Sequence, residues 1–300
     1  MLRFVLLALA LAASLHAGLR VARRAGAPLG VLATALAGAA FVAGACAPWS
    51  PMARWFVLVY ALGAWVKALA LGRDGGASGA RAAAFLLAYP GLEAAWAFVR
   101  DRRPRRRAGL RQAVIGLVET AAAPAVATLL DRVGVHGWGL FPAAWARGVV
   151  LTLLLDGGFR LLFGLFRASG FRAEDVFREP WRASDLGDFW GRRWNRGIGR
   201  TLEREVYVPL RPRAGRPVAA LAAFGASGVL HEVLMGLTGG GRPGPYLAFF
   251  LLQGVALAAL RGVRSARLRF AVSWAVLLGT APLFFGEAYR RALPLERTFG

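Results

Sequence analysis

Nine apolar blocks, each 16 to 23 residues long, follow one another along this 300-residue chain, and that pattern excludes most soluble folds. They run Leu2–Gly18, Pro28–Ala47, Met52–Leu71, Ala82–Val99, Gln112–Leu130, Ala144–Phe166, Val218–Leu237, Pro245–Leu260 and Phe270–Gly286. A helix of about 20 residues rising about 1.5 Å per residue matches a bilayer core of roughly 30 Å. Hydrophobic residues make up 57% of the chain and mean hydropathy is +0.49, against roughly 45–50% apolar in soluble domains. The expected fold is all-α: a polytopic integral membrane protein with about eight or nine transmembrane helices in a single membrane domain, 1–300.

Charge supports the same class. The formal net charge is +22, nearly all of it arginine, since Lys67 is the only lysine. The arginines cluster in short connections between apolar blocks, which suits the positive-inside rule and anionic headgroups better than nucleic-acid binding. Cys46 is the only cysteine, so the chain has no internal disulfide and no cysteine metal cluster. The first block has the apolar run of a signal peptide, but Leu15 at minus three from Ala17 is a poor cleavage context. It reads as a retained first span, and the expected location is a cell inner membrane.

The basic stretches Arg100–Arg107, Arg167–Pro217 and Arg261–Arg269 all read as cytoplasmic, each pair separated by two spans. Counting back to the N-terminus then puts Arg20, Arg23 and Arg24 on the wrong face. Ala82–Val99, broken by Pro90-Gly91 and holding Glu93, is the block expected to be re-entrant or interfacial.

Residues 167–217 form the only long polar insertion, with Trp181, Trp190 and Trp194 among many arginines and acids. Phe171–Phe177 and Asp185–Trp194 alternate aromatic and charged residues at spacings that predict amphipathic interfacial helices. Leu202–Leu210 reads as a helical turn or short strand stopped by Pro209. The next apolar block, 218–237, carries His231 followed by Glu232, and an ionisable pair inside such a span is costly enough to mark function.

The runs DFWGRRWN (188–195), REVYVPL (204–210) and SGVLHE (227–232), with the earlier YPG (89–91), resemble the membrane-bound O-acyltransferases, and most closely their wax synthase branch. The resemblance is strongest over Pro180–Gly236. It implies an acyl-CoA-dependent O-acyltransferase with Asn195 and His231 in the active site and a long-chain alcohol as acceptor, giving a wax ester. A sugar, a sterol or another small alcohol is the alternative acceptor. Acyl-CoA is then a substrate; no cofactor and no metal are implied, and the partners are acyl-CoA, a lipidic or small hydroxyl acceptor and membrane lipids.

The chemistry suits these residues. A neutral imidazole, with an ordinary pKa of about 6.5, can accept an alcohol's proton near neutrality. An amide donor such as Asn195 can stabilise the oxyanion of thioester attack or orient the imidazole or substrate. Ser227, one turn before His231, can hydrogen-bond it. Arg192 and Arg193 suit coenzyme A phosphates or lipid headgroups equally, and Arg200 and Arg204 share that ambiguity. Trp190 and Trp194 are interfacial anchors or contacts for the acyl-CoA.

Plainer readings stand beside these. His231 can serve helix packing through a hydrogen bond to a neighbouring carbonyl, and Asn195 can cap a short helix ended by Gly197. From other functional classes, a transporter would line a pathway with His231, Glu119 and Asp156, and a silent scaffold would keep the fold without chemistry. Phosphate-binding GxxxxGK[ST], zinc-binding HExxH and nucleophilic GxSxG patterns are absent from the sequence.

Overall fold

The computed structural model describes residues 2–74, 79–239 and 242–286. The chain gathers into two compact units. One comprises 1–117, 160–174 and 233–240; the other comprises 118–159, 175–232 and 241–300. Among the described residues six helical runs are long and apolar enough to cross a membrane, and the protein is an integral, multi-pass, all-α membrane protein. Among the described residues there is no strand, only an isolated bridge between Arg100 and Phe171.

In the first unit, α1 (Leu2–Ala25), α2 (Ala27–Cys46) and α3 (Pro51–Asp74) pack through small residues. A Cβ on Gly30 would lie 2.6 Å from the Gly18 carbonyl, and one on Gly44 would lie 2.5 Å from Leu58. Glycine therefore sets how closely these helices approach, as it does where lipid supplies no hydrophobic contrast.

The Ala82–Val99 block is not a span. Helix α4 (Gly79–Leu87) has nine residues, roughly 13 Å, and Pro90 ends it by disfavouring helical backbone before itself. The chain then runs irregularly through one 3₁₀ turn (Ala94–Trp96). Its polar groups are met locally: the Leu92 N–H donates to Glu174 (3.2 Å), the Asp101 N–H to the Gly170 carbonyl (2.9 Å), and the Arg172 N–H to the Val99 carbonyl (2.8 Å). Tyr89 is buried against Phe85, Phe98 and Phe166, with its hydroxyl donating to the Arg172 carbonyl at 3.3 Å. With this block not crossing, two spans, α2 and α3, separate Arg20–Arg24 from Arg100–Arg107. Both basic clusters then fall on one face, and the conflict in the charge count disappears.

Helices α5 (Arg106–Arg132) and α6 (Leu140–Ala168) each run through both groups of residues. The second unit also holds the one-turn α7 (Leu186–Asp188), α8 (Arg196–Leu202), most of α9 (Val208–Thr238), α10 (Pro245–Leu260) and α11 (Ala266–Phe284). Helix α10 is a shorter apolar helix of 16 residues, and α11 opens on Arg267 and Arg269.

Three local expectations need correction. Phe171–Phe177 is irregular apart from the bridge at Phe171, and its backbone groups pair with neighbouring segments. Asp185–Trp194 is one helical turn running into a π-turn, Phe189–Arg193, where an amphipathic helix was expected. Pro209 does not stop the helix: α8 continues through a second π-turn, Glu203–Tyr207, into α9, where Pro209 is the second residue. The break falls at Gly215, where φ is 77° and ψ 165°, a conformation that favours glycine.

Candidate active site

Two carboxylates tie the polar segment before α8: Asp185, whose Oδ1 accepts the Asp188 N–H at 2.8 Å, and Asp188 itself. Asp188 is buried, and its Oδ2 accepts from the Arg193 Nε (2.7 Å) and the Ser184 N–H (3.0 Å), while Oδ1 accepts from the Arg192 Nε (3.0 Å). Burial pushes this carboxyl up, but the Ser184 N–H and the Arg193 and Arg192 guanidiniums outweigh it and hold its pKa at about 2. Arg193 also donates to the Arg178 and Glu179 carbonyls, both at 3.2 Å. The segment 176–178 closes the turn from outside: the Arg178 N–H donates to the Arg193 carbonyl and the Arg196 N–H to the Val176 carbonyl, each at 2.9 Å.

Asn195 sits at the end of this turn in left-handed backbone, φ 38° and ψ 56°. Its carbonyl accepts the Gly199 N–H at 2.9 Å and so starts α8, while its side chain makes no capping bond. Asparagine is among the few non-glycine residues that adopt this conformation readily. Gly197 does not end a helix; it lies buried in the first turn of α8.

His231 is held differently. On α9 its Nδ1 lies 2.8 Å from the Ser227 carbonyl, one turn back. A carbonyl only accepts, so Nδ1 carries the proton and the neutral ring keeps its lone pair on Nε2. Ser227 meets the ring through its backbone oxygen. Around the imidazole stand Phe250 (ring centroids 4.7 Å apart), Phe284 (5.2 Å) and Tyr246 (6.4 Å).

Asn195 and His231 line one cavity of about 350 Å³, formed entirely by second-unit residues. Trp190, Trp194 and Ser227 line it too, with Phe224, Phe250 and Leu257 as apolar wall and Arg200, Glu203, Tyr207 and Arg261 as polar groups. Trp194 stacks on Phe189 at 5.5 Å. Trp190 is edge-on to Phe224, and its indole N–H donates to the fully buried Gln253 at 3.3 Å. Gln253 donates in turn to the Thr280 hydroxyl at 2.8 Å, which donates to the Val276 carbonyl at 2.7 Å.

Arg192 and Arg193 are not among the cavity's lining residues; Asp188 takes both guanidiniums, and Arg200 and Arg261 are the arginines on its wall. Neither Glu119 nor Asp156 lines it. Sequence reasoning missed Phe250, Arg261 and Gln253. Gln253 had a signal, as the only amide among the apolar residues of α10; Phe250 and Arg261 had none that set them apart.

Residues 173–252 match the family model described as the membrane bound O-acyl transferase family. The chain is similar to "Probable long-chain-alcohol O-fatty-acyltransferase 7" of Arabidopsis thaliana, 36% identical over 137 residues that cover 43% of this chain and 38% of that protein. It is similar to "Long-chain-alcohol O-fatty-acyltransferase" of Simmondsia chinensis, 38% identical over 117 residues, 34% of this chain and 33% of that one. "Acyl-CoA--sterol O-acyltransferase 1" of Arabidopsis thaliana is 36% identical over 94 residues, 29% and 27% of the two chains. The chain thus spans well under half the length of these curated relatives. The segment that matches the family model, 173–252, carries both Asn195 and His231.

Proposed function

We propose that this protein is a membrane-bound O-acyltransferase of the wax synthase-like branch, which transfers a fatty acyl group from acyl-CoA to a long-chain alcohol and releases a wax ester into the membrane. The observation that carries the reading is the shared cavity: an imidazole whose Nδ1–H is committed to a carbonyl, and an asparagine side chain that caps no helix, line the same space. In the proposed reaction Nε2 of His231 accepts the alcohol proton as the alcohol oxygen attacks the thioester carbonyl. The Asn195 amide donates to the oxyanion that forms, a role worth about 3 kcal/mol in comparable sites. Collapse of the tetrahedral intermediate breaks the carbon–sulfur bond, and the imidazolium returns its proton to the departing thiolate. The products are the ester and coenzyme A.

The wall divides the substrates by chemistry. Phe224, Phe250 and Leu257 suit an acyl or alkyl chain, whereas Arg200 and Arg261 suit the coenzyme A phosphates. The names of the alcohol-acylating relatives favour a long-chain alcohol, and the sterol-acylating relative supplies the second acceptor to test. The inner membrane is the proposed location.

The test is ester formation from labelled palmitoyl-CoA by membranes carrying wild type or His231→Ala, with a panel of long-chain alcohols, sterols, diacylglycerol and sugars. Wax ester from wild type, lost by about a thousandfold or more in a well-inserted His231→Ala protein, is expected. Ester synthesis that survives in His231→Ala removes the base assignment. An absence of ester with every acceptor moves the transporter and scaffold readings ahead.

A further inference from the structure

Glu232 follows His231 directly, so its side chain leaves α9 about 100° round the helix from the imidazole. Its Oε1 accepts three backbone N–H groups, from Gly244 (2.9 Å), Tyr246 (2.9 Å) and Leu247 (3.1 Å). These belong to the start of α10, where the first donors have no partner inside the helix and Pro245 has no N–H at all. Gly244, at the N-cap, has no side chain to meet them. The cap comes instead from α9, as one side-chain oxygen that accepts all three donors.

A second contact lies one turn earlier. A Cβ on Gly228 would stand 2.8 Å from the Leu247 Cα, so glycine there lets α9 and α10 approach at backbone distance. Cap and glycine together set the register of α10 on α9. The next turn of α10 carries Phe250, the aromatic ring nearest His231 and part of the cavity wall.

We propose that Glu232 is a positioning residue for His231: by capping α10 it sets Phe250 against the imidazole and holds the ring at the cavity. Glu232 acts through its hydrogen bonds and touches neither substrate. The kinetic consequence rests on the acyl-transfer reading above; the placement of the ring does not.

The test pairs Glu232→Gln, which keeps an acceptor oxygen and loses the charge, with Glu232→Ala, which loses both. One readout is kcat and KM per folded enzyme. The other is the rate at which diethyl pyrocarbonate modifies His231, followed on its peptide by mass spectrometry, which needs no turnover. Glu232→Ala is expected to lower kcat about tenfold with the acyl-CoA KM within about twofold, and to change the His231 modification rate several-fold. Glu232→Gln stays within about twofold of wild type in both.

A folded Glu232→Ala with wild-type kcat and modification rate overturns the proposal. So does a folded Glu232→Gln as defective as Glu232→Ala, because that outcome assigns the charge and not the hydrogen bonds. If Glu232→Ala is recovered unfolded, Phe250→Ala takes its place: removing the ring must change His231 modification, and an unchanged rate overturns the proposal. If wild type forms no ester, acyl transfer fails as a reading while the modification rates still decide the role of Glu232.

Discussion

The turn that ends at Asn195 and the helix that carries His231 border the same cavity but are held by different forces. The turn is irregular backbone drawn around a buried carboxylate, with guanidiniums and carbonyls as its ties. The helix is regular, and its histidine is held by one backbone hydrogen bond and a set of aromatic rings. Electrostatics therefore places one proposed active-site group and packing places the other. The two should fail under different insults: the turn under loss of charge or acid, the helix under loss of shape.

The largest effect should come from Asp188→Ala. It leaves the Arg193 guanidinium, itself three-quarters buried, without its carboxylate, and unpairing such a charge costs on the order of 3 kcal/mol. Thermal unfolding should drop accordingly, and ester synthesis should be lost because the Asn195 turn opens. Acid offers the same insult without a mutation. A carboxyl held at about 2, below an ordinary value of about 3.9, contributes stability that is complete above about pH 4–5. That contribution, on the order of 2 kcal/mol, is lost as pH falls through about 2. The gap in stability between wild type and Asp188→Asn should therefore narrow from pH 7 to pH 3. A gap that stays constant would show that Asp188 is not the titrating hub.

An intermediate effect is expected where the two regions meet, at Trp190. Its indole leaves the π-turn but its N–H is satisfied from α10 by Gln253. Gln253→Leu keeps the volume and removes the acceptor of the partly buried Trp190 N–H, a cost of about 1 kcal/mol. Turnover measured against alcohols of increasing length should fall most for those that reach the Trp190 wall. Uniform loss across the series would make Gln253 a purely structural residue.

How far these regions were legible in the sequence follows from the same division. His231 stood out because a titratable group in an apolar block has few cheap explanations, and the block at 218–237 lies within the observed α9. Asn195 was found through the resemblance, not through any physical rule. The surrounding turn was misread because aromatic and charged residues at Phe189–Trp194 fit an amphipathic helix as well as a shell around Asp188. Which of the two forms depends on Arg178, Glu179 and Ser184, residues whose proximity only the folded backbone shows. The same ambiguity left Arg192 and Arg193 between coenzyme A phosphates and lipid headgroups, and the bonds both make to Asp188, four and five residues back, were not foreseen. Ala82–Val99 was legible as a troubled span from its Pro-Gly pair and from the charge count, but its clasp on residues 170–174 was not.

The smallest change in stability should separate the turn's shape from its chemistry. At Asn195 the backbone is left-handed, with φ 38°, a region glycine occupies at no steric cost. Asn195→Gly therefore keeps the turn, with relief of strain opposed by the greater freedom of glycine in the unfolded chain, and stability should stay within about 1 kcal/mol of wild type. The network around Asp188 does not use the asparagine side chain, so it should survive intact. The amide, however, is gone from the cavity. If Asn195 serves the reaction, kcat should fall by about a hundredfold with the acyl-CoA KM little changed. If the residue is present only because it tolerates this conformation, the glycine enzyme should turn over as fast as wild type, and His231 would be left as the only member of the proposed pair.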